Sequence, residues 1–275
     1  MDFGVLFCLV LAHFIADFPL QLKTIVKLRS STLWEKSLWG NFLHACIHFF
    51  VSLIFLMRFW SLYTFILVFI LSLLHGLVDY FKSWIILKKP FLKFNAILFL
   101  LDQAIHLFLI MVVPMCFNGK ILASPSIENA LAQLVSSFNR SASAVTFSDK
   151  IVLSFVLSVI GLWGVGVFIR LIFSGMNSKR GPAAPEPELK LSNKNEGASD
   201  GGFTIGMLER VFIILSILLN MPLVIGFILT VKSVARLKKF DDDRFVEMFI
   251  IGSFISFISA ISVGYLIKAL LTLPY

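Results

Sequence analysis

Long apolar runs, broken by short polar links, recur from one end of this sequence to the other. Runs of roughly 18–25 apolar residues are long enough to cross a bilayer core of about 30 Å as helices. A soluble domain has no use for so many: here 58% of residues are hydrophobic and 15% charged, against about 45–50% and 25% in soluble proteins. The expected fold is therefore all-α, a polytopic transmembrane helix bundle of about seven spans.

The runs also divide the chain. Segment one covers about Phe3 to Leu22, segment two about Asn41 to Met57, segment three about Leu62 to Leu87 and segment four about Phe94 to Val113. Their short links predict two hairpins, residues 1–60 and 61–113, which together form a four-helix membrane core over 1–113. Residues 114–150 are more polar. There Ser124-Pro125 reads as an N-cap and first-turn proline, and Ile127, Leu131, Leu134 and Phe138 share one face of a short amphipathic helix suited to the membrane surface. A fifth span takes residues 151–174. Residues 175–202, with Pro182, Pro185 and Pro187 among Lys, Glu, Asn and Ser, read as a disordered linker. The rest, 203–275, is expected as a C-terminal helical hairpin: segment six from about Phe203 to Val231, bent at Pro222, and segment seven from about Phe245 to Leu271.

Basic residues near the helix ends set the orientation. They place the loops after segments one, three and five in the cytoplasm and the N-terminus outside. One link breaks the pattern. Lys232, Arg236, Lys238, Lys239 and Arg244 follow segment six and would face outside unless that segment is re-entrant or tilted, or the count of spans in the second half differs by one. The net charge of +8 suits an anionic lipid leaflet. Its spread over helix ends, rather than one block, speaks against a nucleic-acid partner. The first segment lacks the basic start of a cleavable signal. Of the three cysteines, Cys8 and Cys46 lie in apolar runs and are expected to pack, Cys116 has no obvious partner, and no CxxC motif occurs.

Polar chemistry is concentrated in the first four segments, which hold all five histidines. They fall into the pairs His13/Asp17, His44/His48, His75/Asp79 and Asp102/His106. Each pair is spaced i, i+4, so both side chains share one helix face. The pairs repeat in order. His13-Phe-Ile-Ala-Asp17-Phe18 matches His75-Gly-Leu-Val-Asp79-Tyr80, and His44-Ala-Cys-Ile-His48 matches Asp102-Gln-Ala-Ile-His106. The two hairpins thus read as a parallel repeat with a pseudo-two-fold axis along the membrane normal. At 1.5 Å per residue all eight groups fall within roughly 5–18 Å of the inner boundary, in one layer.

An intramembrane ionisable group is a functional hypothesis in itself, because it costs several kcal/mol unless paired or hydrated. Imidazole with carboxylate suits a divalent transition metal: zinc, manganese or iron. The candidate ligands are His13, Asp17, His44, His48, His75, Asp79, Asp102 and His106. They exceed the need of one tetrahedral ion, so two ions, or one ion with a base and supporting partners, would use the surplus. Asp17 or Asp79 would ligate the metal or activate its water. Lys82, on the cytoplasmic side of segment three, would either snorkel to the interface or hold an anionic head group or phosphate. Gln21 and Gln103 are placed to orient ligands. Pro19 frees the carbonyl of Ile15, as an acceptor or as a kink, and Ser72 is expected on the outward face. In the second half, Glu209 and Arg210 open segment six and Lys232 and Arg236 close it. This suits the helix dipole, or else Glu209 and Arg210 complete the polar layer or a partner surface.

The run Ala12-His13-Phe14-Ile15-Ala16-Asp17-Phe18 with Gln21, then His44/His48, His75/Asp79/Lys82 and Asp102-Gln103-Ala-Ile-His106, resembles the bacterial domain-of-unknown-function family 3307. Ile205-Gly206-Met-Leu-Glu209-Arg210, Gly226-Phe227, Lys232-Ser233 with Arg236, and Glu247 with Gly252 look like the C-terminal portion of the same proteins. The resemblance implies a multi-pass protein of the bacterial inner membrane and no settled activity. More distantly, the His/Asp helices are similar to families described as membrane-bound metal-dependent hydrolases. Three functions follow as expectations: a metal-dependent hydrolase acting on a lipid-linked or membrane-embedded substrate, a transporter of metal ions or protons through the same cluster, and a non-catalytic adaptor whose polar layer only fixes helix packing.

Overall fold

The computed structural model describes residues 3–89, 96–117, 147–178, 201–237 and 240–273. Its regular elements are all helical. In order they are α1 (Phe3–Asp17), α2 (Lys23–Arg29), α3 (Trp34–Phe55), a 3₁₀ turn (Met57–Phe59), α4 (Leu62–Lys88), α5 (Ala96–Phe117), α6 (Phe147–Val159), a π turn (Ile160–Gly164), α7 (Val165–Ser178), α8 (Gly201–Leu218), α9 (Leu223–Val234) and α10 (Asp243–Thr272). Six helices are long and apolar enough to cross a bilayer; α1 and α9 are apolar but shorter. The exposed side chains include Phe42, Phe50, Phe69, Leu77, Phe108, Phe212 and Phe254, a surface for hydrocarbon rather than water. Helices suit that setting because each satisfies its own backbone. Ser154, Ser158, Ser216 and Ser259 likewise donate their hydroxyls to the carbonyl four residues back.

The proposed amphipathic helix at Ile127–Phe138 lies outside the described residues, as does most of the proposed linker. Of that linker, residues 175–178 close α7 and residues 201–202 open α8, so helix extends into both of its ends. The fourth segment runs through Pro114 to Phe117 instead of stopping at Val113.

Two compact units are present, one of residues 1–93, 97–159 and 270–275, the other of residues 94–96 and 160–269. In the first, α3 packs against α1, α2 and α4, and α1 also packs against α6. Ser61 caps α4 by accepting the Thr64 amide at 3.0 Å. The polar stretch after segment one is not a plain loop. It folds as α2, and α3 begins at Trp34, seven residues before the expected start of segment two. Gly40 makes that docking possible: a Cβ there would meet the Arg29 nitrogen at 2.6 Å and the Leu28 Cβ at 2.8 Å. Pro19 does not kink α1. The helix has already ended at Asp17, and the Ile15 carbonyl accepts the Leu20 amide at 3.0 Å.

In the second unit, segment six is two helices rather than one bent span. α8 stops at Leu218, Asn220 takes a left-handed φ of 59°, and Pro222 leads into α9. Asparagine tolerates that backbone better than most residues. α9 then returns along α8, since Lys232 Nζ reaches Glu209 Oε2 at 2.6 Å. The far end of α10 meets the tip of this hairpin, where Lys268 donates to Asn220 Oδ1, and Asp242 caps the near end through the Arg244 and Phe245 amides. The basic link after α9 therefore lies on the side from which α8 starts, and the charge pattern that a through-running segment would violate is restored. After replacement of the native cysteines, cysteines at Ala235 and Asn220 in closed vesicles are expected to react with an impermeant maleimide from opposite sides. Labelling of both from one side would remove the hairpin.

Candidate metal centre

The helices of the first unit carry their polar pairs to one place. Asp17 ends α1, where its carboxylate looks across at α3, α4 and α5. Its Oδ1 lies 2.9 Å from His48 Nε2, 3.1 Å from His44 Nε2 and 3.7 Å from His75 Nε2. Its Oδ2 lies 3.6 Å from His13 Nε2 and accepts the Gln103 amide at 2.8 Å. Asp79 Oδ2 in turn sits 3.2 Å from His75 Nε2 and 3.5 Å from His44 Nε2. The imidazoles pack against one another, with ring centroids 3.6 Å apart for His48 and His75, 4.0 Å for His75 and His106, and 5.4 Å for His13 and His75. All five histidines and Asp17, Asp79 and Asp102 are buried.

These spacings suit a coordinated ion. Four donors about 2.0–2.1 Å from a tetrahedral zinc lie about 3.3 Å from one another, within the range of the Asp17 and Asp79 distances above. Three overlapping sets meet this demand: Asp17 with His44, His48 and His75; His13, Asp17 and His106; His75, Asp79 and His106. They share Asp17, His75 and His106, so they are facets of one centre and not three separate sites. Buried polar atoms are almost always hydrogen-bonded. Here His44 Nδ1, His75 Nε2, Asp79 Oδ2, Asp102 Oδ1 and both ring nitrogens of His106 have no hydrogen-bond partner among the described residues. His75 Nε2 and Asp79 Oδ2 face each other at 3.2 Å without hydrogen-bond geometry, so they and the His106 nitrogens are open to a further partner.

Charge points the same way. Arg29 Nη2 pairs with Asp79 Oδ1 at 2.6 Å and Lys82 Nζ with Asp102 Oδ2 at 2.6 Å. Three buried carboxylates thus face two permanent cations, leaving a negative charge for a further cation to offset. The surroundings are one-sided. Leu9, Leu71 and Ile110, each one helical turn from His13, His75 and His106, join Leu56, Leu67 and Val68 in an apolar layer. A cavity of about 30 Å³ between this layer and the imidazoles is lined by Ser52 and Ser72 as well as His13, His48, His75 and His106, which is room for about one water. Opposite the apolar layer lie the polar groups of Arg29, Asn41 and Lys82. Arg29 Nε donates to Asn41 Oδ1 at 3.0 Å.

Of the eight ligands proposed from the sequence, seven stand in these donor sets, while Asp102 lies at their edge, 4.0 Å from His106 Nδ1 and paired with Lys82; Gln103 joins the cluster as well. Gln103 touches two of the proposed ligands, donating to Asp17 Oδ2 at 2.8 Å and lying 3.3 Å from His13 Nε2. Gln21 falls in the turn beyond α1, and no contact links its side chain to the cluster among the described residues. Glu209, Arg210 and Lys232 have their partners within the second unit, and Arg236 lies just past α9. Ser72 is buried against the histidines, not outward. It precedes His75 by three residues and so shares its face. Nothing in the sequence singles out Arg29 and Asn41: Arg29 is one of several basic residues, with Lys23, Lys27 and Lys36, that follow segment one.

Residues 5–135 match the model of the family described as "Protein of unknown function (DUF3307)". The match contains every residue of the cluster and ends before the second unit's Glu209 and Arg210. No curated protein and no solved structure matches the chain.

Proposed function

We propose that this chain, whose residues 5–135 match the model of domain-of-unknown-function family 3307, is an integral membrane metalloprotein that hydrolyses a lipid-linked or membrane-embedded substrate. The His/Asp cluster would hold zinc, manganese or iron. His13, His44, His48, His75, His106, Asp17 and Asp79 supply the donors, and a metal ion in such a set acts as a Lewis acid toward a bound ester or phosphate and lowers the pKa of water. The observation that carries the reading is the convergence of buried imidazole nitrogens on the Asp17 and Asp79 carboxylates, with His75 Nε2, Asp79 Oδ2 and both ring nitrogens of His106 left without hydrogen-bond partners among the described residues.

Substrate would approach from the side of Arg29 and Lys82. Lys82 is the most open charged group at the cluster, its side chain 25% exposed, and it would draw in an anionic group. Asp17 or Asp79 would take up a proton from the attacking water. The apolar layer on the opposite side argues against a transport path, which would continue as polar groups through both halves of the membrane. A purely structural polar layer would satisfy its own hydrogen bonds throughout, whereas here His75 Nε2, Asp79 Oδ2 and both His106 nitrogens have none among the described residues. With the N-terminus outside, as the basic links suggest, the Lys82 side faces the cytoplasm of a bacterial inner membrane.

Purified in mild detergent, the protein is expected to carry about one to two equivalents of a single transition metal by elemental mass spectrometry. Folded protein with less than about a tenth of an equivalent, and none taken up on reconstitution, would sink the metal reading.

A further inference from the structure

We propose that the second unit holds a separate binding site for the phosphate group of an anionic membrane lipid. A cavity of about 430 Å³ lies between α7, α8, α9 and α10. Into it faces Arg210, only 2% exposed. Its Nη2 donates to the Leu162 carbonyl at 2.6 Å and its Nη1 to Ser256 Oγ at 3.3 Å. Its Nε has no partner among the described residues, and neither does the buried Oγ of Ser253 on the same wall. Leu162 belongs to the π turn, an interruption of the regular helix of a kind often found at functional sites.

Arg210 also lacks an ion pair among the described residues, because the adjacent Glu209 carboxylate is taken by Lys232 at 2.6 Å. A buried cation whose neighbouring carboxylate is already shared with a lysine is under-compensated, which is costly. Arg170 and Lys232 line the same cavity, and its described wall contains no Asp or Glu. The remaining wall includes Ile169, Phe173, Phe203 and Phe249, a surface for an acyl chain. Gly166 and Gly206 make room for the guanidinium: a Cβ at Gly166 would lie 2.9 Å from Arg210 Nη2, and one at Gly206 3.3 Å from Nη1.

Guanidinium and phosphate match as forks of donors and acceptors. The mouth of the cavity, at Ser174, Gly202, Lys232 and Met248, is where α7 and α9 end and α8 and α10 begin, and the cavity runs inward from there to Arg210 and Ser256. An apolar wall beside the cations selects a lipid over a free anion.

Full-length protein in mild detergent is titrated with dioleoylphosphatidylglycerol or dioleoylphosphatidylcholine, and retained lipid is counted by native mass spectrometry. One phosphatidylglycerol is expected to bind roughly tenfold more tightly than phosphatidylcholine. R210Q is expected to abolish that preference. R170Q and S253L are expected to weaken binding several-fold, and both retain Arg210 and its bonds to Leu162 and Ser256. Equal retention of the two lipids would overturn the proposal. So would unchanged binding in both R170Q and S253L, or displacement of the lipid by millimolar inorganic phosphate, which would make a free anion the ligand.

Discussion

Asp17→Ala is expected to empty the metal centre and to cost the first unit about 3–5 kcal/mol, the range for removing one partner from a buried charged network. One carboxylate here serves five side chains. Its Oδ1 faces His44, His48 and His75 and its Oδ2 faces His13 and Gln103. Those groups come from α1, α3, α4 and α5, so the loss is felt by the whole bundle. Asp17→Asn separates the two consequences. It keeps the shape and one acceptor oxygen, and is expected to cost only about 1 kcal/mol, the net worth of a typical hydrogen bond. It nevertheless loses the charge a metal requires. Thermal unfolding, read by thiol labelling of the half-buried Cys8 and Cys46, gives the stability. Elemental mass spectrometry gives the metal. An Asp17→Asn protein that retained metal at the wild-type level would show that Asp17 is no ligand.

The cluster could be read from sequence because helix periodicity and chemistry coincide there. Four pairs at i, i+4 in apolar segments leave few arrangements other than a common centre, and seven of the eight side chains stand in the donor sets, with Asp102 paired to Lys82 at their edge. What could not be read depends on contacts between elements. α2 has no apolar run to announce it. Its docking rests on Gly40 and on Ser37, whose hydroxyl donates to the Arg29 carbonyl at 3.0 Å, and nothing local in the 23–29 stretch encodes those partners. Arg29 therefore looked like a topology signal when it is the ion-pair partner of Asp79. Segment six failed for another reason. Apolar periodicity is the same whether a chain crosses the bilayer or turns back within it, and Pro222 fits a kink as well as a turn. The one clue was the misplaced basic link at Lys232–Arg244, a charge argument rather than a pattern argument. The ion pairs also depart from the repeat: Arg29 of the first hairpin neutralises Asp79 of the second, while Lys82 serves Asp102 within its own hairpin.

That asymmetry leads to a test of how the centre is held. Arg29 Nη2 lies 2.6 Å from Asp79 Oδ1, its Nε donates to Asn41 Oδ1 at 3.0 Å, and Asn41 Nδ2 donates to the Ser37 carbonyl at 2.8 Å. Holding Oδ1 leaves Asp79 Oδ2 aimed at His75 and His44, 3.2 and 3.5 Å away. Arg29→Met would strand a carboxylate that is only 2% exposed and is expected to cost about 3–5 kcal/mol. Asp79→Leu removes the carboxylate and leaves a guanidinium that, at 11% side-chain exposure, lies closer to water than its partner; a smaller loss of about 2–3 kcal/mol is expected. Together the two changes leave no charge stranded, so the double variant should cost less than the sum by about 2 kcal/mol or more. Arg29→Lys keeps the charge but loses the fork that spans Asp79 and Asn41, and should fall between wild type and Arg29→Met. Metal content distinguishes the roles: Arg29→Met with Asp79 still present should retain part of its metal, whereas Asp79→Leu should lose most of it. Additive costs across the cycle would mean that Arg29 only decorates the edge of the bundle, and that Asp79 is oriented by the histidines alone.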